Sequence, residues 1–377
     1  MQTELLVTES RVERLTRHML APAGIYLAVR LVGLVVLSVL AATHDRTLLD
    51  VLTSWDGDWY LGIAERGYAP TGDGLVDAAG NSTPNTTLAF FPGYPMLVAL
   101  GGWLTSASLP FVGLAISLGA GVVAAYGIAR LAGDRRVGLI CVALFASTPM
   151  AVTLSMFYSE ALFSACAAWV LVGVMERRWW LAAACCVGAG LVRPSAGVLI
   201  AIVVLAVLLH GRTSRGLFAA IICPLGLGGF LLFVADRTGS LFGWFELQLA
   251  GWGTGFDGGQ ATGEFVGNVL TSDASVMETT NVLVILGALA LCVVTVVRRM
   301  PWPLVVYGIG LFVMTAGSSG VTYSKMRLLV PAFTLLLPVA VGLARRRTST
   351  VLAVLAATAV LSGWFGGYAL TAWRYAI

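Results

Sequence analysis

The feature that most constrains this chain is the length of its apolar runs. Residues 21–42 and 351–365 are almost free of charge, and similar runs recur between them. A helix needs roughly 20 apolar residues to cross the hydrocarbon core of a bilayer, and these runs approach that length. A transmembrane β-barrel would instead show segments of about 10 residues with alternating polarity, a pattern absent here. Composition agrees with helices in a membrane. Of 377 residues, 58% are hydrophobic and 11% charged, against about 25% charged in a soluble domain. So little polar surface cannot cover a water-soluble globule. A soluble enzyme, a disordered chain and a disulfide-stapled secreted domain are therefore excluded. What remains is an all-α, polytopic membrane protein, read as one integral-membrane domain over residues 1–377. Its six cysteines all lie in apolar runs and read as small buried hydrophobes.

The few charges are sorted along the chain. Arginines cluster in short connectors: Arg130, Arg135 and Arg136; Arg177 and Arg178; Arg212 and Arg215; Arg298 and Arg299; Arg345, Arg346 and Arg347. Arg11, Arg14 and Arg17 form a further group near the N-terminus. The positive-inside rule places all of these, with the N-terminus, in the cytoplasm. Residues 1–18 read as an amphipathic helix on the inner leaflet, leading into an uncleaved first span. The spans then pair out and back, about 11 helices in all (range 10–13), with the C-terminus outside. Two outer segments are long: residues 44–109, expected to carry a catalytic and a juxtamembrane helix, and residues 236–280, read as a lid. Acidic residues concentrate there, among them Asp45, Asp50, Asp56, Asp58, Glu65, Asp73 and Asp77 in the first. Residues 90–104 are apolar enough to resemble a span. Counting them as one would move Arg135 and Arg136 outside, so the segment is read as re-entrant or juxtamembrane. Arg30 lies inside the first span, where snorkelling or helix pairing is expected. A pore would carry its polar groups within the spans; long outer loops point instead to chemistry on the outer face.

The first outer loop opens with Ser54-Trp55-Asp56-Gly57-Asp58-Trp59-Tyr60 and reaches Gly67-Tyr68. Ser54 suits an N-cap and Gly67 the C′ position of a helix, with about three turns between. Trp55, Trp59, Ile63 and Arg66 fall on one stripe, and tryptophans there are expected to anchor the helix at the head-group level. Asp56 and Asp58 lie in the first turn, where the helix dipole favours their ionised form. Two carboxylates at a membrane surface are candidates for a general base that accepts the proton of an attacking hydroxyl. The plainer alternative is that they cap the helix and face water. They are also hard oxygen donors that could hold Mg²⁺ or Mn²⁺, a reading not favoured. His18, His44 and His210 lack the paired spacing of a zinc site, so no metal is expected. After a Gly-, Pro- and Asn-rich stretch over residues 69–88, read as loop or partial disorder, comes Phe90-Phe91-Pro92-Gly93-Tyr94-Pro95, which cannot continue a regular span.

These two motifs resemble those of the phosphatidylinositol-glycan class V family, the GPI mannosyltransferase 2-like proteins and their bacterial relatives. Three later motifs agree in order and spacing along nearly the whole chain: Tyr158-Ser159-Glu160-Ala161-Leu162-Phe163, Arg193-Pro194-Ser195 and Arg327-Leu328-Leu329-Val330-Pro331-Ala332. The resemblance implies a GT-C glycosyltransferase fold with its active site on the extracytoplasmic face of, for a bacterial-type member, the plasma membrane. It implies transfer of mannose from a polyprenyl-phosphate-mannose donor to an acceptor hydroxyl, expected on a glycolipid, with inversion. It makes Asp56 the base, and Asp58 a second base or acceptor-positioning group. The family is not metal-marked.

The chemistry of the residues is compatible with that. A polyprenyl phosphate leaves without general-acid help, but its developing charge needs cationic partners. Lys325 and Arg327, on an outer loop after Gly317-Ser318-Ser319-Gly320, and Arg193, at an outer helix end before a proline, are the donor-phosphate candidates; each also reads as membrane-edge snorkelling. Glu160 either holds a sugar hydroxyl or pairs with one of the arginines. With it, Trp55, Trp59, Tyr60, Phe91, Tyr94 and Tyr158 are the candidates for sugar and acceptor binding. Residues 241–252 form a second aromatic surface helix, placed as a lid over the lipid. Gly253, Gly255, Gly258 and Gly259 follow no strand and make no nucleotide fingerprint, so a nucleotide sugar is not expected. Nor is nucleic acid, at a net charge of +4 with the arginines explained by topology. The expected partners are the lipid donor, a lipid or glycolipid acceptor and the membrane. Two competing readings are a transporter or flippase of lipid-linked sugar, which should show paired broken helices in two related halves, and a non-catalytic membrane subunit.

Overall fold

The computed structural model of the chain describes residues 11–69, 74–210 and 212–376, with side chains from Leu20 onward. The described residues are helical, and their only extended pairing is one bridge between Phe256 and Ser318. Five helices are long and apolar enough to cross a membrane: Leu20–Ala42, Leu109–Leu131, Ser214–Thr238, Val276–Val297 and Thr348–Thr371. Thr322–Leu328 and Phe333–Ala344, bent by 70° at a break holding Pro331, make a sixth if counted as one span. Four further apolar helices are shorter: Glu160–Met175, Trp179–Val192, Ala196–His210 and Trp302–Ala316. The 16 residues of the first of these rise about 24 Å at 1.5 Å each, short of a core about 30 Å thick. The count of about 11 included these helices and Arg135–Ala146. Residues 90–104 do not make a span: the helix there, Gly93–Thr105, has 13 residues and turns at Ser106, whose φ is 56°. The expected amphipathic helix over residues 1–18 falls largely outside the described residues; from Arg11 the backbone is continuous with the first span.

Close packing without bulk holds the helices, as suits a solvent in which apolar side chains gain little by leaving lipid. Leu109–Leu131 lies against Glu160–Met175 with glycines facing its neighbours. A Cβ at Gly113 would fall inside the Phe157 ring, and one at Gly121 on the Tyr26 hydroxyl. The notch at Gly113 has a long-range effect. With its ring seated there and its N–H donating to the Leu52 carbonyl at 2.8 Å, Phe157 fixes the Tyr158-Ser159-Glu160 segment beside the long segment that follows the first span.

Arg30 does not snorkel. It is 3% exposed, donating from Nε to Ser155 Oγ at 2.9 Å and from Nη1 to the Ala146 carbonyl at 3.0 Å. Ala146 is the last residue of Arg135–Ala146, where helix carbonyls lack intrahelical partners and the dipole favours a cation. The charge sorting read from the sequence has a counterpart along the helix axes. Arg130 Nη2 donates to Glu176 at 2.8 Å, Arg178 lies 3.9 Å from the same carboxylate, and Arg136 donates to the Arg346 carbonyl at 2.8 Å. Three basic connectors thus meet at one end. Glu176 caps the C-terminus of the helix that Glu160 begins, so the Glu160 end lies about 24 Å away.

Arg30→Met strips the Ala146 carbonyl and Ser155 of their buried donor. The expected loss is about 1–3 kcal/mol, read as a lower midpoint of thermal unfolding in detergent. Arg30→Lys should fall between the two. An unchanged midpoint in Arg30→Met would contradict the capping role.

Candidate active site

The Asp56–Arg66 helix presents the first motif, and its N-terminus is unusual. Ser54 is not the N-cap that its side chain suggests. Its hydroxyl donates back to the Val51 carbonyl at 2.9 Å and so belongs to the preceding helix, Leu48–Thr53. The N-cap is Trp55, at φ 62° and ψ −118° with no side-chain cap. Such a conformation in a bulky residue costs on the order of 1–3 kcal/mol. An acceptor for the exposed N–H comes from far along the chain: the Tyr158 hydroxyl accepts from the Asp56 N–H at 3.2 Å. Gly67 ends the helix as expected, at φ 66° with its N–H on the Ile63 carbonyl at 2.8 Å.

Trp59 is not a lipid anchor. It is buried, stacked on Phe90 with ring centres 5.4 Å apart and edge-on to Trp252 at 6.3 Å. The apolar face of this helix finds protein partners ahead of lipid. Tyr60 is buried beside it, donating to Ser159 Oγ at 3.0 Å and packed edge-on against Phe90 and Tyr94.

Four charged side chains from four motifs converge here. Arg327 Nη1 lies 2.8 Å from Asp56 Oδ2, and Arg193 Nη1 lies 2.7 Å from Glu160 Oε1. Arg327 Nε stands 3.4 Å from that same Glu160 oxygen. The Arg327 guanidinium also covers the Tyr158 ring, 5.1 Å from its centre, a favourable cation–π placement. Local sequence explains each position. Glu160 is the first residue of its helix, where the dipole favours an anion. Arg193 caps Trp179–Val192, stopped there by Pro194. Arg327 rides the one-turn helix Lys325–Leu328 at the bend. The Glu160 side chain is 2% exposed and that of Asp56 26%, so the network meets its surroundings on the Asp56 side. Glu160 Oε2 is buried with no hydrogen-bond partner. Burial pushes the Asp56 carboxyl above the usual carboxylate range, the Arg327 charge opposing it. Asp58 is exposed, with no ion pair among the described residues.

The remaining candidates are placed differently. Lys325 is 2% exposed, its Nζ donating to the Ser318 carbonyl at 2.6 Å and to Thr262 Oγ1. It fastens the segment over residues 236–280 to the element that carries Arg327. Phe91 packs on Phe230 and Trp244, with centres 4.5 and 5.6 Å away. Tyr94 is fully buried and donates to the Gly113 carbonyl at 2.9 Å. Trp55 is partly buried at the strained cap. The aromatic helix of the second loop, Gly243–Trp252, lies on the first: Trp244 Nε1 and Gln248 Nε2 both donate to the Ala89 carbonyl, at 3.2 and 3.0 Å. Trp252 meets Phe90 edge-on at 5.5 Å. Where described, the stretch over residues 69–88 is irregular but tied down; Asp77 accepts from the Ala79 and Asn81 N–H groups, and the Ala79 N–H also reaches the Gly251 carbonyl. Ser159, Gln248 and Thr262 were not singled out in the sequence. Ser159 and Gln248 sit inside segments that were; Thr262 carries no local signal.

No protein-family model and no curated protein matches the chain. Among solved structures, it is similar to ArnT from Cupriavidus metallidurans bound to undecaprenyl phosphate, with a TM-score of 0.56 and 17% identity over 89% of this chain and 63% of that one. It is also similar to the oligosaccharyltransferase of Archaeoglobus fulgidus in the apo form, with a TM-score of 0.51 and 15% identity over 92% of this chain and 56% of that one. The chain thus spans less than two thirds of either protein's length. At these identities the likeness is one of architecture. The fold is the GT-C glycosyltransferase fold, in an integral membrane protein.

Removing one partner of a buried ion pair typically costs about 3–5 kcal/mol. Arg193→Met and Glu160→Met are each expected to destabilise on that scale in thermal unfolding. The double variant should lose less than the sum of the two; additive losses would mean that the pair is not coupled.

Proposed function

We propose that the protein is a mannosyltransferase of the phosphatidylinositol-glycan class V type. It takes mannose from a polyprenyl-phosphate-mannose donor and passes it to an acceptor hydroxyl, on a glycolipid, at the extracytoplasmic face of the bacterial plasma membrane. The observation that carries this reading is the contact of Asp56 with Arg327, 2.8 Å apart. A carboxylate and a guanidinium from motifs at opposite ends of the chain meet at the helix ends away from the basic connectors. The GT-C fold and the motif resemblance support the same assignment. The ArnT structure is bound to undecaprenyl phosphate, a lipid of the class we assign to this donor.

In the proposed reaction, Asp56 accepts the proton of the acceptor hydroxyl as its oxygen attacks the anomeric carbon. The bond from that carbon to the phosphate oxygen breaks, and the phosphate leaves with the electron pair. Arg327 and Arg193 hold the charge that develops on it. Attack on the face opposite the phosphate inverts the centre, from a β-linked donor to an α-linked product. Trp59, Tyr60 and Tyr158 wall the sugar side of the site, and Trp55 shapes its entrance. Asp58, exposed beside Asp56, positions the acceptor. Tyr94 supports Tyr60 from behind, and Phe91 packs on Trp244 of the lid helix. Lys325 acts at one remove, by fastening the lid loop. With the basic connectors and the N-terminus in the cytoplasm, the site faces outward.

Transfer of radiolabelled mannose from polyprenyl phosphate by the purified protein tests the assignment. Asp56→Ala should lose about 10²–10⁴-fold in rate, the usual contribution of a general base, while Asp58→Ala keeps most of it. Transfer undiminished in Asp56→Ala would sink the base assignment. No transfer from any mannosyl donor would sink the function itself. The pH dependence carries a sign. Asp56 must be ionised to act, and its carboxyl is held above the usual carboxylate range. Activity should therefore be full at high pH and fall as pH drops through that raised value, with an acid limb above about 3.9, the ordinary aspartate pKa. A limb at or below that value would contradict the assignment.

A further inference from the structure

Asp56 and Arg327 are each assigned a task in that reaction, and they also occupy one another. Asp56 has to accept a proton, yet its Oδ2 lies 2.8 Å from the Arg327 guanidinium. A cation that close favours the ionised carboxylate and typically lowers its pKa by about 1–3 units. Arg327 in turn has to meet a phosphate while its charge is already matched by Asp56. The other groups facing Asp56 are Tyr158, whose hydroxyl accepts from the Asp56 N–H, Tyr60 on its own helix, and Glu160 and Arg193 behind Arg327. In formal charge the two carboxylates match the two guanidiniums.

The two arginines are not equally held. Arg193 is on Glu160 Oε1 at 2.7 Å, with Arg193 at a proline-stopped helix end and Glu160 at a helix start. Arg327 stands 3.4 Å from that oxygen, on a helix of four residues at a bend. Arg327 is the guanidinium that bridges Asp56 and Glu160, so its charge is the one a phosphate would draw away from Asp56, and Glu160 is the counter-charge that keeps it in reach. We infer that arrival of the donor phosphate switches on the base, because the phosphate takes up the charge of Arg327 and returns Asp56 to a more basic state. This rests on the proposed donor and adds an order to its reaction. The acceptor hydroxyl is activated only when the leaving group is in place, and water in an empty site is not. The bonds made and broken are those of the transfer itself.

Carbodiimide coupling of an amine modifies protonated carboxyls, so the pH midpoint of Asp56 labelling, read by peptide mass spectrometry, reports its basicity without turnover. The probe is undecaprenyl phosphate, which carries no sugar. The midpoint should rise by about one unit or more when the lipid is bound, the size of a removed neighbouring charge. Arg327→Gln should already show the raised midpoint without lipid, and Arg327→Lys, which keeps the charge, should not. In turnover, the acid limb of kcat, set by the loaded enzyme, should stand at higher pH than that of kcat/KM for the donor, set by the free enzyme. Lipid retained on the protein with an unmoved midpoint, or coincident limbs, overturns the switch alone. Failure to retain any polyprenyl phosphate overturns the donor reading and the switch together.

Discussion

Glu160 places one buried carboxylate oxygen between two guanidiniums, those of Arg193 at 2.7 Å and Arg327 at 3.4 Å. Four stretches of chain are organised around that point. The notch at Gly113 seats Phe157 and so fixes the segment that begins the Glu160 helix. Pro194 ends the helix that offers Arg193, and the 70° bend brings Arg327 in from the opposite side. Tyr158 passes beneath Arg327 and accepts from the backbone of Asp56. Burying ions is costly, and an apolar substitute is often no less stable. A network of four such groups in a chain with so few charges is therefore better explained by its chemistry than by stability.

Much of this was legible in the sequence, for identifiable reasons. Apolar runs declare membrane helices whatever their tertiary partners, and Gly67 ends its helix by a backbone requirement that can be read locally. A carboxylate and arginines isolated in apolar surroundings must pair, so the partnership of Glu160 with an arginine was among the readings available. Other features depend on distant residues. Ser54 looks like an N-cap, but Tyr158, 102 positions beyond Asp56, supplies the acceptor that lets the strained Trp55 take that place. Trp59 looks like a lipid anchor because its partner Trp252 lies in another loop. Lys325 looks like a phosphate ligand until Thr262 and Ser318 are seen to hold its ammonium. The span count was read from apolar runs and the placement of basic connectors, neither of which sets helix length, and several of the helices are too short to cross by themselves.

The polar groups outside the site serve the scaffold in the same economical way. Arg30 closes a helix end that a broken helix leaves open inside the bundle. Asp134 caps its helix by accepting from the Val137 N–H at 2.9 Å, next to the basic connectors at the far end. The Gly243–Trp252 helix spends Trp244 and Gln248 on a single carbonyl of the first loop. The two long loops are thereby joined to one another, and Lys325 ties the second to the bend carrying Arg327.

The central claim is that a lipid-borne phosphate is held by Arg193 and Arg327 with Asp56 facing the reacting carbon. A structure of the protein in lipid nanodiscs with undecaprenyl phosphate bound tests it directly. The account predicts phosphate oxygens within hydrogen-bond distance of both guanidiniums, and one Asp56 oxygen open toward the space where the sugar and the acceptor hydroxyl would meet. A phosphate bound elsewhere, at the Arg130, Arg136 and Arg346 end or with the Asp56–Arg327 contact turned away from it, would contradict the account.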